Sequence, residues 1–596
     1  MITSKTMTNL QIAGLLRAVA AALELEPGDN RFRIIAYNRA ADAVEHATSE
    51  AKDLWDDGEL KNLPGIGANL FAHLDELFNT GKVGHFEEIL NHYPPALFEL
   101  LEIPGIGPKS AFRLCKALGL NKAHTAVSQL EKAAKHGHIA KIEGFGADSQ
   151  AQILKSIKEY RGRSVRMLLP RALKITSELT DWLKKDPHVL RADPLGSLRR
   201  HCATVGDIDI AVATNHPKGV IAHFSAYPKK IRVLEAGEHT ASLVLPGDCQ
   251  IDLMVQPSAS YGSLLQHFTG SKHHNIALRE YAMKKGLSLS EYGIKTKTGM
   301  KEFSTEESFY NYLGLEYIPP ELREDTGEIK VALDHHLPRL VELSDIRGDL
   351  QLHSNINVEP GHDLGTGTPD QMAQKARELG YEYLGLTEHN PSVSGHTAGQ
   401  MLEIIKIKTH QISEANHIHE KDHEKGFPYI FNGLEIDIGP DGRRSVPDSC
   451  LDLLDYACVS VHSSFQGTKK LMTDRVLSAL DHPKVRFFAH PTTRLLQERE
   501  GIDLDWDRLF DFCKTHSKWL EIDAWPNRLD LPDVLVKEAV NNGIGLVIDT
   551  DSHSVAEMDY LEFGIWVARR GWAAKNDIVN TLPLTQMRKL LNKGGE

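Results

Sequence analysis

GSLRRHCATVGDIDIAVAT, residues 196–214, is the stretch on which the reading of this chain turns. The β-branched alternation of DIDIAVAT predicts a strand. Asp207 and Asp209 lie two apart on it, so both carboxylates project from one sheet face. A third carboxylate, Asp252, sits in QIDLMVQ (250–256), a second alternating stretch that can run beside the first and complete an acidic trio. Three carboxylates and phosphate oxygens are hard ligands suited to magnesium. Two such ions would activate a hydroxyl and steady a leaving pyrophosphate during in-line displacement, with Asp252 as the candidate general base. Upstream, Gly196 and Ser197 begin a turn whose backbone can approach a triphosphate, and Arg200 follows with a forked cation suited to it. Taken alone, a D-x-D strand is as often only a solvated sheet edge.

Outward from this stretch the pattern changes on both sides. From Leu10 to about Lys82, and again from about Phe86 to Tyr160, apolar residues recur at helical spacing. Past Asp193 the alternation of DIDIAVAT, IRVLEA, SLVLP and QIDLMVQ predicts a sheet, and helices resume near Leu264. YIPPELREDTGEIK (317–330) is rich in proline and acid and reads as a linker. Beyond it, short apolar strands alternate with helical stretches, which predicts a parallel α/β domain or barrel.

The 596 residues exceed one hydrophobic core. The net charge of −13 hides an uneven distribution: residues 101–300 carry 29 Lys and Arg against 17 Asp and Glu, and the whole acidic excess falls after residue 330. That basic stretch suits a surface that neutralises phosphates, or is simply a solvated face. Cysteines 115, 202, 249, 450, 458 and 513 form no C-x-x-C pair and predict reduced, buried thiols. No apolar run is long enough to cross a bilayer, and MITSKTMTNLQIAGLL lacks a secretory pattern, so no membrane partner and a cytoplasmic address are expected.

Three segments, NLPGIGANLFAHL (62–74), EIPGIGPKSAFRL (102–114) and KIEGFGADSQAQIL (141–154), place a Gly-apolar-Gly turn directly before a helix. The free N–H groups of such a helix start suit a phosphate. The segments resemble the helix-hairpin-helix motifs of DNA repair proteins, which implies DNA binding through Gly65, Gly67, Gly105, Gly107 and Lys109, with K+ or Na+ as the hairpin ion. The G-S turn about ten residues before D-x-D resembles the nucleotidyltransferase signature. HFTGSKHHNIALREYAMKKGLSLSEYGI (267–294) resembles the thumb segment of family X DNA polymerases, which include DNA polymerase beta. That resemblance implies that Phe268 lies under the incoming sugar beside the turn at Gly270, that Asn275 contacts the base in the minor groove and that Arg279 touches the template. His267 stands where the family has Tyr, so weaker rejection of ribonucleotides is expected. The N-terminal block resembles the family's 5′-end-binding domain. Its lyase chemistry needs a lysine amine, whereas the matching positions are Asn69 and His73, so no deoxyribose-phosphate lyase activity is expected.

In the last third, histidines and carboxylates recur at strand ends: His353, Glu388 with His389, Glu435 with Asp437, His462, His490, and Asp551 with His553. Ligands on strand C-termini of a parallel domain converge on one face, and mixed imidazole and carboxylate suits Zn2+ or Mn2+. GDLQLH, LTEHN, GLEIDI, VSVHSS, FFAHPTTR and DTDSH resemble the PHP domain of polymerases and histidinol phosphatases. The resemblance implies 3′-5′ exonuclease, 3′-phosphatase or abasic endonuclease activity, with Glu435 bridging metals. The first motif departs from the pattern: Gln351 replaces a histidine, and NINVEPGHDLGTG (355–367) replaces the usual S-D-G, leaving Glu359, His362 or Asp363 as substitutes. A working phosphoesterase and a purely structural domain both remain open.

The expected architecture is multidomain. Residues 1–85 form a small helical 5′-end-binding domain, 86–165 helical fingers, 166–258 an α/β nucleotidyltransferase palm and 259–318 a thumb. Residues 319–340 form a linker, and 341–596 a distorted (β/α) barrel of PHP type. The expected function is gap-filling DNA synthesis by a monomer on gapped or primed DNA with deoxynucleoside triphosphates, using Mg2+ or Mn2+ at the palm. The alternative is a DNA-end-binding phosphoesterase or scaffold with weak polymerase activity.

Overall fold

The computed structural model of the chain describes residues 9–26, 28, 30–45, 51–56, 58, 60–62, 66–101, 103, 105–161, 166–246, 249–421, 426–499 and 501–592. They divide into two compact units, one of residues up to 166 together with 285–301, the other of 167–284 together with 302 onward.

The first unit is built on helical repeats. Helices Asn9–Leu25 and Arg31–Glu45 bring Ile12, Leu16, Val19 and Leu23 against Tyr37, Ala40, Ala41 and Val44. Leu70, Leu74 and Leu77, spaced for one face of helix Ala68–Thr80, close that core. Helix Gly84–Leu90 adds Phe86 and Ile89 to the same cluster, so this layer continues past residue 85, where the sequence suggested a boundary. A second core gathers Leu97, Leu100, Ala111, Leu114, Leu130 and Ile153 from helices Pro95–Leu100, Pro108–Leu118, Ala123–Lys135 and Ala147–Arg161.

In the second unit a five-stranded sheet uses β1 (Arg191–Pro194), β2 (Ile208–Ala213), β3 (Arg232–Ala236), β4 (Thr240–Leu245) and β5 (Cys249–Gln256) in the order β1-β2-β5-β4-β3. Only β2 and β5 run parallel. Ile208, Ile210 and Val212 point into one core, while Ala211 and Ala213 face helix Tyr261–Thr269. Period-2 alternation therefore puts Asp209 on the face of that helix.

The strands from residue 348 onward pair in parallel: β6 (Gly348–Leu352), β7 (Tyr383–Leu386), β8 (Tyr429–Asn432), β9 (Glu435–Asp437), β10 (Ala457–Ser460), β11 (Val485–Phe488), β12 (Trp519–Asp523) and β13 (Leu546–Asp549). They form two arcs, β6-β7-β8 and β9 to β13. Parallel bridges His389↔Glu435 and Leu352↔Ser552 link the arcs, closing a distorted barrel.

Residues 319–340 do not behave as a linker. Arg323 is fully buried, donating from Nε to the Ile318 carbonyl (2.9 Å) and from Nη1 to Glu306 Oε1 (2.6 Å). Glu328 is equally buried, 2.6 Å from His274 Nδ1. A composition that looks solvated is packed here because its charges find partners far away in sequence. The stretch also joins the sheet to the barrel: Arg570, on barrel helix Leu561–Arg570, donates to Glu324 Oε1 and to the Arg200 carbonyl (both 2.9 Å), and His201 stacks on Trp566 at 4.2 Å. The six cysteines are free thiols, all buried except the partly exposed Cys202. Among the described residues no helix is long and apolar enough to cross a membrane.

Candidate active sites on the sheet and in the barrel mouth

β2 begins at Ile208, so Asp207 lies on the bend that leads into it rather than inside the strand. Asp209 pairs in parallel register with Asp252, the next residue across the sheet. Burial, then the charges of Asp207 and Asp252, push the Asp209 carboxyl up to about 7. Three carboxylates crowded in this way repel one another, and a divalent cation relieves that repulsion. Asp252 is held in place by Ser242 Oγ and by Gln250 Nε2, which reaches both of its oxygens at 3.1 and 3.0 Å.

The turn before β2 is tied to the trio. Gly196 adopts φ +57°, and a Cβ there would stand 3.1 Å from Asp209 Oδ2, so both conformation and space favour glycine. Ser197 follows, partly buried. Arg199, which sequence reasoning passed over, donates to Glu306 Oε1 (2.9 Å) and to Thr269 Oγ1 (2.5 Å). Arg200 is drawn inward, from Nε to Glu324 Oε1 (2.9 Å) and from Nη1 to the Thr269 carbonyl (2.5 Å), beside Gly270. Asn275 spends its amide on the same turn, donating to the His267 carbonyl (2.7 Å) and accepting from Gln266 Nε2 (2.9 Å). Phe268 is half-buried, edge-on to His267. Burial and neighbouring Arg279 lower the His267 imidazole to about 3, so it is neutral at neutral pH.

Gly67 and Gly107 head helices Ala68–Thr80 and Pro108–Leu118, and neither helix has a side-chain cap, which leaves first-turn N–H groups for an outside acceptor. Gly105 takes the left-handed φ of +83° that the turn demands, and Lys109 is exposed on the first turn of its helix. Gly65 lies outside the described residues. Arg33, Tyr37, Asn69, His73 and His85 line a cavity of about 680 Å3, and none of the described lining residues is a lysine. Tyr37 Oη stands 3.2 Å from His73 Nδ1, and Arg33 Nη2 stands 2.9 Å from His85 Nε2. Burial, then His85, lowers the His73 imidazole.

At the barrel mouth Glu435 is fully buried at the centre of four imidazoles. His389 Nδ1 and His490 Nε2 stand 3.0 Å from its oxygens, and His353 Nε2 and His462 Nε2 stand 3.4 Å away. Burial opposes its ionisation, but His389 and His462 outweigh that and hold the carboxyl well below the usual carboxylate range. The imidazole of His389 is also buried, yet Glu435, followed by Asp551 and Asp437, raises it to about 9. His353 Nε2 lies 3.0 Å from Asp551 Oδ1, and its ring stacks on His553 at 4.2 Å. His389 Nδ1 and Glu435 Oε2 are 3.0 Å apart, an ion pair without hydrogen-bond geometry. His490 and Asp551 also hold left-handed backbone, φ 32° and 50°, a strain that side-chain-bearing residues keep where a site requires it.

One station read from the sequence behaves otherwise. Glu388 turns away from the cluster to Lys408 Nζ (2.8 Å) and Ser354, serving as a buried counter-charge. Gln351 is fully buried, and neither its Oε1 nor its Nε2 has a partner. Of the three substitutes, Glu359 goes to His396 Nε2 (2.9 Å), Asp363 is exposed, and His362 reaches the cluster, 2.9 Å from Asp437 Oδ2. Sequence spacing could not choose among them, because the choice depends on how one loop folds back.

Residues 7–83 match a helix-hairpin-helix domain, 97–159 a SAM-like helix-hairpin-helix tandem, and 264–324 the DNA polymerase beta thumb. Over 591 residues, 98% of this chain and the full length of the relative, the sequence is 32% identical to the DNA polymerase/3′-5′ exonuclease PolX of Bacillus subtilis (strain 168). DNA polymerase lambda of Rattus norvegicus is 27% identical over 352 residues, 54% of this chain and 57% of that protein. DNA polymerase lambda of Arabidopsis thaliana is 25% identical over 335 residues, 50% and 58% respectively.

Proposed function

Because the chain belongs to the family X DNA polymerases, we propose that its own task is to fill short gaps in DNA by nucleotidyl transfer at Asp207, Asp209 and Asp252. The observation that carries this reading is the register that sets Asp209 beside Asp252, with Asp207 close enough to raise its carboxyl. These three residues would hold the divalent cations, Mg2+ or Mn2+, which supply charge neutralisation for the phosphates and for the attacking and leaving oxygens. The chain's part is to fix the carboxylates through Ser242 and Gln250 and to shape the triphosphate turn at Gly196 and Ser197. Arg200 is parked on Glu324 in this arrangement; releasing it toward a triphosphate costs that ion pair and gains a phosphate one. The hairpin helix starts and Lys109 would grip the DNA backbone without reading sequence.

The test is primer extension on a one-nucleotide-gapped duplex. Wild type should extend with Mg2+ or Mn2+, and Asp209→Ala should lose extension by about two to three orders of magnitude, the range for removal of one electrostatic transition-state stabiliser, while still binding the duplex. Extension by Asp209→Ala would reject the site.

The barrel supports a second activity, hydrolysis of phosphoesters. PolX of Bacillus subtilis is named a 3′-5′ exonuclease as well as a polymerase. The converging donors of Glu435, His353, His389, His462, His490, Asp551 and His553 suit Zn2+ or Mn2+. In this reading His353, His389, Glu435 and Asp551 would hold the ions. Release of mononucleotides from a 3′ end by Asp209→Ala, and its loss in Glu435→Ala, would support it.

A further inference from the structure

We propose that the loop 355–367 completes a metal site in which His362 joins Asp437 and His462 to hold a divalent transition-metal ion at the rim of the barrel. The inference rests on the reading of the barrel mouth as a metal centre and adds to it a ligand taken from outside the strand ends.

The geometry is that of a shared ligand set. His362 Nε2 lies 2.9 Å from Asp437 Oδ2, and His462 Nδ1 lies 2.7 Å from Asp437 Oδ1, so the two imidazoles address the two oxygens of one carboxylate. One donor atom from each of the three residues lies within 4.8 Å of the other two. Donors around a tetrahedral ion at ~2.1 Å stand ~3.4 Å apart, so a small side-chain rotation converts the observed contacts into ligation. The His362 ring is 4.6 Å from that of His462 and 4.9 Å from that of His389, which links the rim set to the buried set around Glu435.

The loop that delivers His362 is anchored rather than draped. Asn355 N–H donates to the Gly367 carbonyl (2.8 Å), Ser392 N–H donates to the Glu359 carbonyl (3.0 Å), and the Glu359 carboxylate meets His396 Nε2 (2.9 Å). Pro360 bridges to Pro391. Gly365 passes so close to the His353 carbonyl that a Cβ would overlap it, which fixes the chain just after His362. Asp437 is equally constrained, since its N–H donates to Asn390 Oδ1 (2.7 Å) and its carbonyl accepts from Ser445 (3.0 Å). Two imidazoles and a carboxylate are the donor set of Zn2+ or Mn2+ rather than of Mg2+ or Ca2+. His362 and Asp437 are 33% and 26% exposed, so the site has an open side on which the oxygen of a phosphate group can approach. A plain imidazolium–carboxylate pair would share the short contacts but bind no ion, and the experiment separates the two.

The full chain carrying Asp209→Ala, which removes one of the three polymerase-site carboxylates, would be stripped with chelator, loaded with Zn2+ and assayed for bound zinc after gel filtration, alone and with His362→Ala. Folding of each variant is checked by circular dichroism. The expected result is one zinc fewer per chain with His362→Ala. In parallel, His362→Cys loaded with Co2+ should show a thiolate-to-cobalt charge-transfer band in the near ultraviolet, which requires ligation by position 362 itself. Equal zinc content with and without His362→Ala, together with no such band, would overturn the rim site while leaving the buried centre standing. No bound zinc in either protein would instead overturn the metal-centre reading along with this one.

Discussion

Asp209, a proposed catalytic carboxylate, is held against the interest of the fold. Its carboxyl titrates near 7 in the folded chain against an ordinary 3.8. A raised folded value means that the unfolded chain ionises first, so this contribution is fully present below about 4 and is lost as the pH rises to about 7. Asp209→Asn should therefore stabilise the chelator-treated chain at pH 8 by roughly 1–3 kcal/mol, discounted from the full shift because the group is partly exposed, and by little at pH 4. Thermal denaturation at the two pH values measures the difference, and equal gains would show that repulsion is not the cause. At the other end of the chain, Asn69 and His73 leave the N-terminal cavity without a lysine amine among its described lining residues. Borohydride should trap no covalent adduct of this protein with an incised abasic site, and a trapped adduct would reveal a nucleophile elsewhere.

At the scale of elements, the stretch 319–340 shows how composition misleads. Its Pro and acidic residues have the chemistry of a solvated connection, yet Arg323 lies under Tyr310 and between Ile318 and Glu306 with no exposure. Removing one partner of a buried ion pair leaves the other uncompensated. Arg323→Met should cost roughly 3 kcal/mol in urea denaturation, somewhat less than a full orphaning because Arg199 still faces Glu306. The strands were easier to read. DIDIAVAT and QIDLMVQ carry their period-2 pattern within a few residues, and the helix-heading glycines at 67 and 107 carry theirs in the local need for a turn. Element starts were less legible, as Asp207 shows, because the first ladder hydrogen bond depends on a neighbouring strand that the local sequence does not contain.

Across the whole molecule, the sheet and the barrel share one compact unit, and their contact runs through the turn that bears Arg200. Arg570 binds Glu324 and the Arg200 carbonyl, Arg569 binds Glu321 (2.8 Å), and Trp566 stacks on His201. Arg570→Ala should raise the KM for deoxynucleoside triphosphate several-fold through a loosened Arg200 turn, with a smaller change in kcat, since no barrel residue in this contact touches the carboxylates. Steady-state extension on gapped DNA checks this, and an unchanged KM would show that the two domains are only tethered.

What the sequence determined by itself was whatever depends on near neighbours along the chain. Alternation on one strand gave Asp209 its face of the sheet, though Asp207 fell on the bend before it, helical spacing gave the N-terminal layers, and glycine placed the hairpins. The succession of His and carboxylate at strand ends announced a convergent cluster of candidate ligands, because parallel strands send their C-termini to one face. Tertiary structure alone decided which side chains meet once those elements pack: Glu388 to Lys408 instead of a metal, Arg323 to Glu306 instead of water, Arg200 to Glu324, and His362 to Asp437 in preference to Glu359 or Asp363. Those outcomes depend on residues tens to more than a hundred positions apart and on how one loop closes, and local pattern carries no record of either.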